Sequence, residues 1–187
     1  MTVQMQDADG RPLSGVWATG ITSEHWRPAL RVERDSCPAY HVEVGKPRLM
    51  VFFEPGRKLA GTQTLKGDEK SPVVVRLGPA GAIKGRLLDA DGKPLARLVV
   101  DVHYRLRAVS EIHQVIRQAK QTVTDADGAF TVDDLIPQHR FELSFRQGKR
   151  QFERETKPAG VEIEVKPGET RELGAIKLKQ IPENAGE

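Results

Sequence analysis

The chain carries one cysteine, Cys37, in 187 residues. No intramolecular disulfide can form, which excludes a disulfide-stapled scaffold and a thiolate metal cluster. Aromatic residues make up only 5%. No apolar run approaches the ~18 residues of a membrane-spanning helix, so this segment is not expected to insert into a membrane. Charge of one sign is also lacking: 29 basic and 26 acidic side chains leave a net +3. The two signs alternate, as from Lys149 to Lys157. A nucleic-acid-binding surface gathers its positive charge into a stripe with aromatics interleaved, and no nucleic-acid partner is expected from a merely solvated surface. No secretory leader is read ahead of the first strand. The chain is expected to be a module of a longer protein whose targeting and catalytic parts lie elsewhere.

What is present is a repeat. Asp7-Ala-Asp-Gly-Arg-Pro-Leu13 returns one conservative change apart as Asp89-Ala-Asp-Gly-Lys-Pro-Leu95, a period of 82 residues. Such a period predicts two copies of one small domain in tandem. In each turn the first Asp is suited to accept from loop amides, Gly supplies a positive φ, and Pro blocks helix. Gly10 and Gly92 are therefore read as structural. A β-branched residue is expected to harm stability more at Gly92, because Gly10 follows a strand close to the chain end.

Most segments alternate with period two. Phe141, Leu143 and Phe145 share one face; so do Val161, Ile163 and Val165, and likewise Leu98, Val100, Val102 and Tyr104, with Asp101 and His103 opposite. Further strands are predicted at Val3–Gln6, Val16–Thr19, Tyr40–Val44, Arg48–Phe53, Val73–Leu77, Ile83–Leu88, Ala129–Val132 and Leu173–Leu178. Turn signals such as Glu54-Pro-Gly, Lys66-Gly-Asp, Asp125-Ala-Asp-Gly and Lys166-Pro-Gly separate them. The expectation is all-β: two tandem antiparallel β-sandwiches of immunoglobulin-like architecture. Their bounds are 1–79 and 80–180, with a polar tail over 181–187. Gly78-Pro-Ala-Gly81 is a short joint, consistent with a fixed or narrowly hinged pair. Ile112, Val115, Ile116 and Ala119 recur at helical spacing, predicting a short helix over Ser110–Lys120 with Ser110 as N-cap, lying across one edge of the second sandwich. The corresponding stretch of the first copy, Ser23–Pro38, is irregular, and divergent loops on a shared scaffold are the usual seat of individual function.

The second copy resembles a carboxypeptidase regulatory-like domain of the transthyretin-like (prealbumin-like) superfamily. The blocks that carry the resemblance are Ile83–Leu95, Val99–Val102, Thr124-Asp-Ala-Asp-Gly-Ala-Phe130, and Leu135–Gln138 leading into Phe141–Phe145. The first copy keeps the opening turn and the closing Val73–Leu77 strand but lacks the second Asp-x-Asp-Gly block, and reads as degenerate. The resemblance implies a sandwich fold and a non-catalytic add-on module. Extracytoplasmic or cell-surface placement is favoured, with other domains of the parent protein or a protein or glycan surface as partners.

Residue sets for chemistry are sparse. His139-Arg-Phe-Glu142 has zinc-ligand spacing, but no histidine follows, and an odd separation on one strand sends the two to opposite faces. Tyr40 and Tyr104, the only tyrosines, fall in different copies, which argues against the iron site of intradiol dioxygenases. The C-terminus, Ile181–Glu187, lacks the ending of the transthyretin-related hydrolases. Cys37 precedes Pro38 without an evident base and reads as a small buried side chain. Asp-x-Asp-Gly at Asp7, Asp89 and Asp125 resembles the start of a calcium loop, yet the twelfth positions from Asp89 and Asp125 are Val100 and Ile136, neither an oxygen ligand. His103 with Asp101 and Arg105 offers a polar contact surface but reads as a solvated sheet face, and Trp17 and Trp26 read as one core residue and one loop anchor rather than as an aromatic platform for sugar. No catalytic, metal or cofactor residue is assigned and the binding residues stay unknown. The sequence reads as a non-catalytic structural or protein-interaction module, with a carbohydrate- or peptide-binding targeting module as the alternative.

Overall fold

The computed structural model describes residues 1–22, 29–155 and 162–182. Two short halves follow one another. The first holds β1 (Thr2–Gln6), β2 (Val16–Thr19), β3 (Leu30–Val32), β4 (Ser36–Pro38), β5 (Arg48–Glu54), β6 (Leu59–Leu65), β7 (Val73–Arg76) and β8 (Gly78–Pro79). The second holds β9 (Gly81–Leu88), β10 (Val99–Tyr104), α1 (Arg107–Ala119), β11 (Thr122–Val123), β12 (Ala129–Leu135), β13 (Phe141–Gln147), β14 (Arg150–Arg154) and β15 (Thr170–Gln180). Among the described residues the regular structure is all-β apart from α1.

The pairings duplicate. In the first half a three-stranded sheet, β4-β1-β7, faces a five-stranded sheet, β3-β2-β5-β6-β8. In the second half the order is β11-β10-β13-β14-β15-β9-β12. There β15 does the work of both β7 and β8: it pairs with β9 over Thr170–Lys177 and with β14 over Leu178–Gln180. Divided at β15, this sheet gives β12-β9-β15 and β15-β14-β13-β10-β11, the same two layers as before. The backbone hydrogen bonds of the repeated turns match. Asp7 N donates to Arg11 O and Leu13 N to Met5 O, as Asp89 N does to Lys93 O and Leu95 N to Leu87 O, all at 2.9 Å.

The closing strand of each half runs parallel to its opening strand, β7 along β1 and β15 along β9. This corrects the purely antiparallel expectation. A chain that crosses between two layers returns beside its start in the same direction, so it enters each half at one end and leaves at the other. Leu77–Ala80 therefore delivers the chain directly to the start of β9.

The first core lies between the two layers: Val3, Met5, Val16, Ala18, Met50, Phe52, Leu65 and Leu77 are all buried there. The other face of the five-stranded sheet is apolar as well. Val51, Phe53 and Ala60 join the larger core that contains Ile83, Leu98, Val109, Ile112, Phe141 and Leu178. The unbroken run Leu49–Phe53 is the sequence signature of a strand buried on both sides.

Helix α1 supplies part of the cover. It begins at Arg107 rather than near Ser110, and its N-cap is Leu106, which makes no side-chain capping bond. Ser110 lies inside the first turn, its amide donating to Leu106 O at 3.0 Å. Val109, Ile112 and His113 form the buried stripe, and Ala119 is exposed. The helix thus does not lie merely along an edge of the second sandwich. It packs between β10 and the β2–β5 face of the first half, with Thr19 Oγ1 donating to Ala108 O at 3.1 Å.

Other differences have local causes. Tyr40–Val44 is a loop, with Tyr40 52% and Val44 73% exposed, and its place beside β1 is taken by Ser36–Pro38. Strands β3, β4, β6, β8, β11 and β14 lie outside the expected set; β6 is hidden in sequence because Gly61-Thr-Gln-Thr64 alternates weakly. Of the strand expected at Val161–Val165, residue 161 lies outside the described residues. Ile163 makes only an isolated bridge to Phe141, though Ile163 and Val165 are fully buried.

Candidate functional site

The three acidic turns are occupied by their own backbones. Asp7 Oδ1 accepts from the amides of Asp9 (3.0 Å) and Arg11 (2.9 Å), Asp89 Oδ1 from Lys93 (2.8 Å), and Asp125 Oδ1 from Asp127 (3.0 Å) and Ala129 (2.8 Å). Asp7 is the most engaged: the Arg11 amide first, then Arg57 at 3.0 Å, hold its carboxyl below the ordinary range. Among the described residues no three His, Cys, Asp or Glu side chains gather as a metal site. Millimolar calcium is accordingly expected to leave the melting temperature unchanged. A ligand at a hundredfold excess over Kd would add ~2.7 kcal/mol, a rise of several degrees at about this size. A chelator-reversible rise would refute the structural reading of these turns.

The remaining candidates disperse. His139 precedes β13 in a turn, half-buried, while Glu142 lies on the exposed side of β13, paired with Arg105 at 3.3 Å. Tyr40 is in an exposed loop. Tyr104 is buried, its hydroxyl accepting from Ile136 N at 3.0 Å, and burial pushes its pKa well up. Cys37 is buried on β4, and desolvation raises its thiol pKa to about 11, so it is a protonated, inert thiol at neutral pH. Trp17 is a half-buried side chain packed on the main core rather than an open platform, and Trp26 lies outside the described residues. His103 is exposed and shares a 2.7 Å hydrogen bond with Ser144. Asp101 departs from the expected wet face: it is 4% exposed and held by Arg117 (2.9 Å) and Arg146 (3.0 Å). Those guanidiniums, one from α1 and one from β13, offset the cost of burying its charge.

The structure gathers a set of residues that sequence reasoning passed over. Lys58, in the β5–β6 turn, reaches from the first half to Asp133 (2.6 Å) and Asp134 (3.3 Å) at the end of β12. Lys120, at the C-terminus of α1, meets Asp133 at 2.9 Å. The hydrogen bond that Lys58 donates to Asp133 raises the Lys58 pKa. Burial works against ionisation of Asp133, but the bonds from Lys58 and Lys120 outweigh it and hold its carboxyl low. Asp134 is pushed up, by burial and then by Asp133. Asp133, Asp134 and Lys120 line a small enclosed pocket with Val100, Val102, His113, Ile116 and Arg117. His113 is 7% exposed, and burial, with Arg117 next, lowers its pKa to about 4. The one available signal was the pair Asp133-Asp134, which interrupts the alternation of β12 where a surface strand would need no such break.

Chemically this is a latch. Its cations and carboxylates are paired with one another, and it carries no nucleophile beside a base. It joins the β5–β6 turn, α1 and β12, and so spans the two halves.

No protein-family model and no curated protein matches the chain. Solved structures similar to it include the Bacillus anthracis TIE protein, at 11% identity and a TM-score of 0.35, covering 94% of this chain and 33% of that one. A streptococcal ancillary pilin is 12% identical with a TM-score of 0.36, covering 94% and 68%. The shaft pilin SpaA of Lactobacillus rhamnosus GG is 8% identical with a TM-score of 0.34, covering 97% of both chains. This chain spans about a third of the length of the first. Overlays this loose carry no residue role and no activity to this chain.

Proposed function

We propose that the chain is a non-catalytic structural module, a rigid two-unit spacer or protein-interaction segment of a larger bacterial protein. Its units are residues 1–79 and 80–180, followed by a tail over 181–187. We take the units to be transthyretin-like sandwiches, the second of the carboxypeptidase regulatory-like kind and the first a degenerate copy. The observation that carries the reading is the parallel pairing of first and last strands in both units. A unit entered at one end and left at the other adds length when repeated, whereas a unit with adjacent termini adds a side branch. Rigidity is supported by α1, which seats Val109 and Ile112 in the core shared with Val51 and Phe53. The Lys58–Asp133 pair supports it at the rim, though an exposed pair adds little by itself. Partners are then the neighbouring domains of the parent protein or a protein surface, in an extracytoplasmic setting.

Small-angle scattering at neutral pH tests this. The expected result is one distance distribution, with a fixed maximum dimension, that a single arrangement of the two units fits. A curve that fits only an ensemble of freely hinged units would overturn it.

A further inference from the structure

We propose that His113 makes the docking of α1 against β10 acid-sensitive, so that the joint between the halves, which α1 fills, is tight near neutral pH and loosened in acid. The inference rests on the rigid-pair reading above and adds a regulated state to it.

The geometry starts from position. His113 is the only ionisable side chain in the buried stripe of α1, between the stripe's apolar members and the C-terminal turn. Its ring meets Tyr104 edge-on, centroids 5.4 Å apart. Its Nδ1 is buried without a hydrogen-bond partner among the described residues. From α1 itself Arg117 and Lys120 share its pocket. From β10 it is approached by Asp101, His103 and Tyr104, from β11 by Thr122, and from β12 by Asp133 and Asp134. Arg146 of β13 reaches the same region through Asp101. Strands β2 and β5 contribute the uncharged Trp17, Thr19, Val51 and Phe53 to the α1 contact.

Every carboxylate within that set is already engaged. Asp101 lies between Arg117 and Arg146, Asp133 between Lys58 and Lys120, and Asp134 faces Lys58. A proton on His113 therefore creates a buried cation with Arg117 and His103 as like-charged neighbours, opposed only in part by Asp101, whose carboxylate two arginines already share. Undocked, the same imidazolium is solvated at no such cost.

The sign follows. The docked His113 has a pKa of about 4 against an ordinary 6.5, so the released state binds the proton more tightly. Docking is at full strength above ~6.5 and weakens as the pH falls from there towards 4, by about a hundredfold for this one group. Asp133, held low by its lysines, adds loss in the same direction at lower pH. Asp134, which is raised, acts oppositely. The His113 share must therefore be isolated by substitution.

The test measures hydrogen-exchange protection of residues 107–119, corrected for intrinsic rate, with small-angle scattering at pH 7 and pH 4. In the unaltered chain, protection of α1 should fall by about a hundredfold or more while the distance distribution broadens. In His113→Phe the fall should shrink by about that factor. An equal fall in both proteins overturns the proposal. Should His113→Phe not fold, an NMR titration of the unaltered imidazole decides. A midpoint near 4 coinciding with a fall in α1 protection supports the proposal; a midpoint near 6.5, or α1 as protected at pH 4 as at pH 7, overturns it. A pair that is rigid at both pH values removes only the switch, whereas free hinging already at pH 7 removes the rigid-pair reading.

Discussion

Ile112→Asp is expected to cost about 4 kcal/mol and to divide one thermal unfolding transition into two. Ile112 is fully buried on the docking stripe of α1, in the core shared with Val51, Phe53 and Phe141. Removing its apolar surface forfeits roughly 1.5–3 kcal/mol. Burying a carboxyl without a partner adds a further ~1–3 kcal/mol even when it is protonated. At about this chain length each kcal/mol is worth roughly 2–4 °C, so the main transition should drop by about 10 °C. The splitting has a separate cause. Once α1 lifts, the β2–β5 face is left wet and the first half retains only the core between its own two layers. Gln114→Asp, on the exposed side of the same helix, should change stability by under ~0.5 kcal/mol. If Ile112→Asp and Gln114→Asp melt alike, α1 does not hold the halves together.

Strand existence was legible where alternation was strong, as at Phe141–Phe145, or where a strand is bounded by a firm turn, as at Val16–Thr19. The duplicated Asp-x-Asp-Gly turn led to the expectation of two copies, but not to the parallel pairing of each half's first and last strands. What the sequence hid were relations between distant residues. Leu49–Phe53 reads as one apolar run, and nothing local states that Phe52 faces one core and Phe53 another. The helix was found from Ile112, Val115 and Ile116, but its target was not, because the face it covers is written ninety residues earlier in Trp17 and Thr19. Asp101 was placed with the wet face by period two, since a strand pattern cannot show that Arg117 and Arg146 come to it from a helix and another strand. The latch was missed for the same reason. Lys58 sits in a turn where any polar residue would pass, and its meaning comes only from Asp133 and Asp134 across the joint.

The three Asp-x-Asp-Gly turns look equivalent in sequence, yet valine should be tolerated in them very unequally. All three glycines have positive φ: +81° at Gly10, +84° at Gly92 and +74° at Gly128. A β-branched residue there is strained by about 1–3 kcal/mol whatever its surroundings. The surroundings separate them. A Cβ at Gly92 meets nothing within 4 Å, and one at Gly10 meets only the flexible end of Gln6 at 3.9 Å. A Cβ at Gly128 runs into the carbonyl oxygen of Leu87, with the Leu95 amide 3.2 Å away. That carbonyl already accepts from Leu95 N at 2.9 Å, while Leu87 N donates to Gly128 O at 2.8 Å. The second and third turns interlock at this point, so the clash is with ladder backbone that cannot yield without breaking both. Gly128→Val should therefore add an overpacking cost of ~1–3 kcal/mol to the strain, about 3–5 kcal/mol in all, a large share of the ~5–15 kcal/mol of a folded domain. Gly92→Val should cost only the strain. The expected advantage of Gly10 from fraying also disappears: β1 is the middle strand of its sheet, with Val3 and Met5 fully buried, so Gly10→Val and Gly92→Val should melt within about 1 kcal/mol of each other. Thermal melts of the three variants check the order. Gly128→Val melting with the other two would mean that positive φ alone, and not the close approach to Leu87, decides what these turns accept.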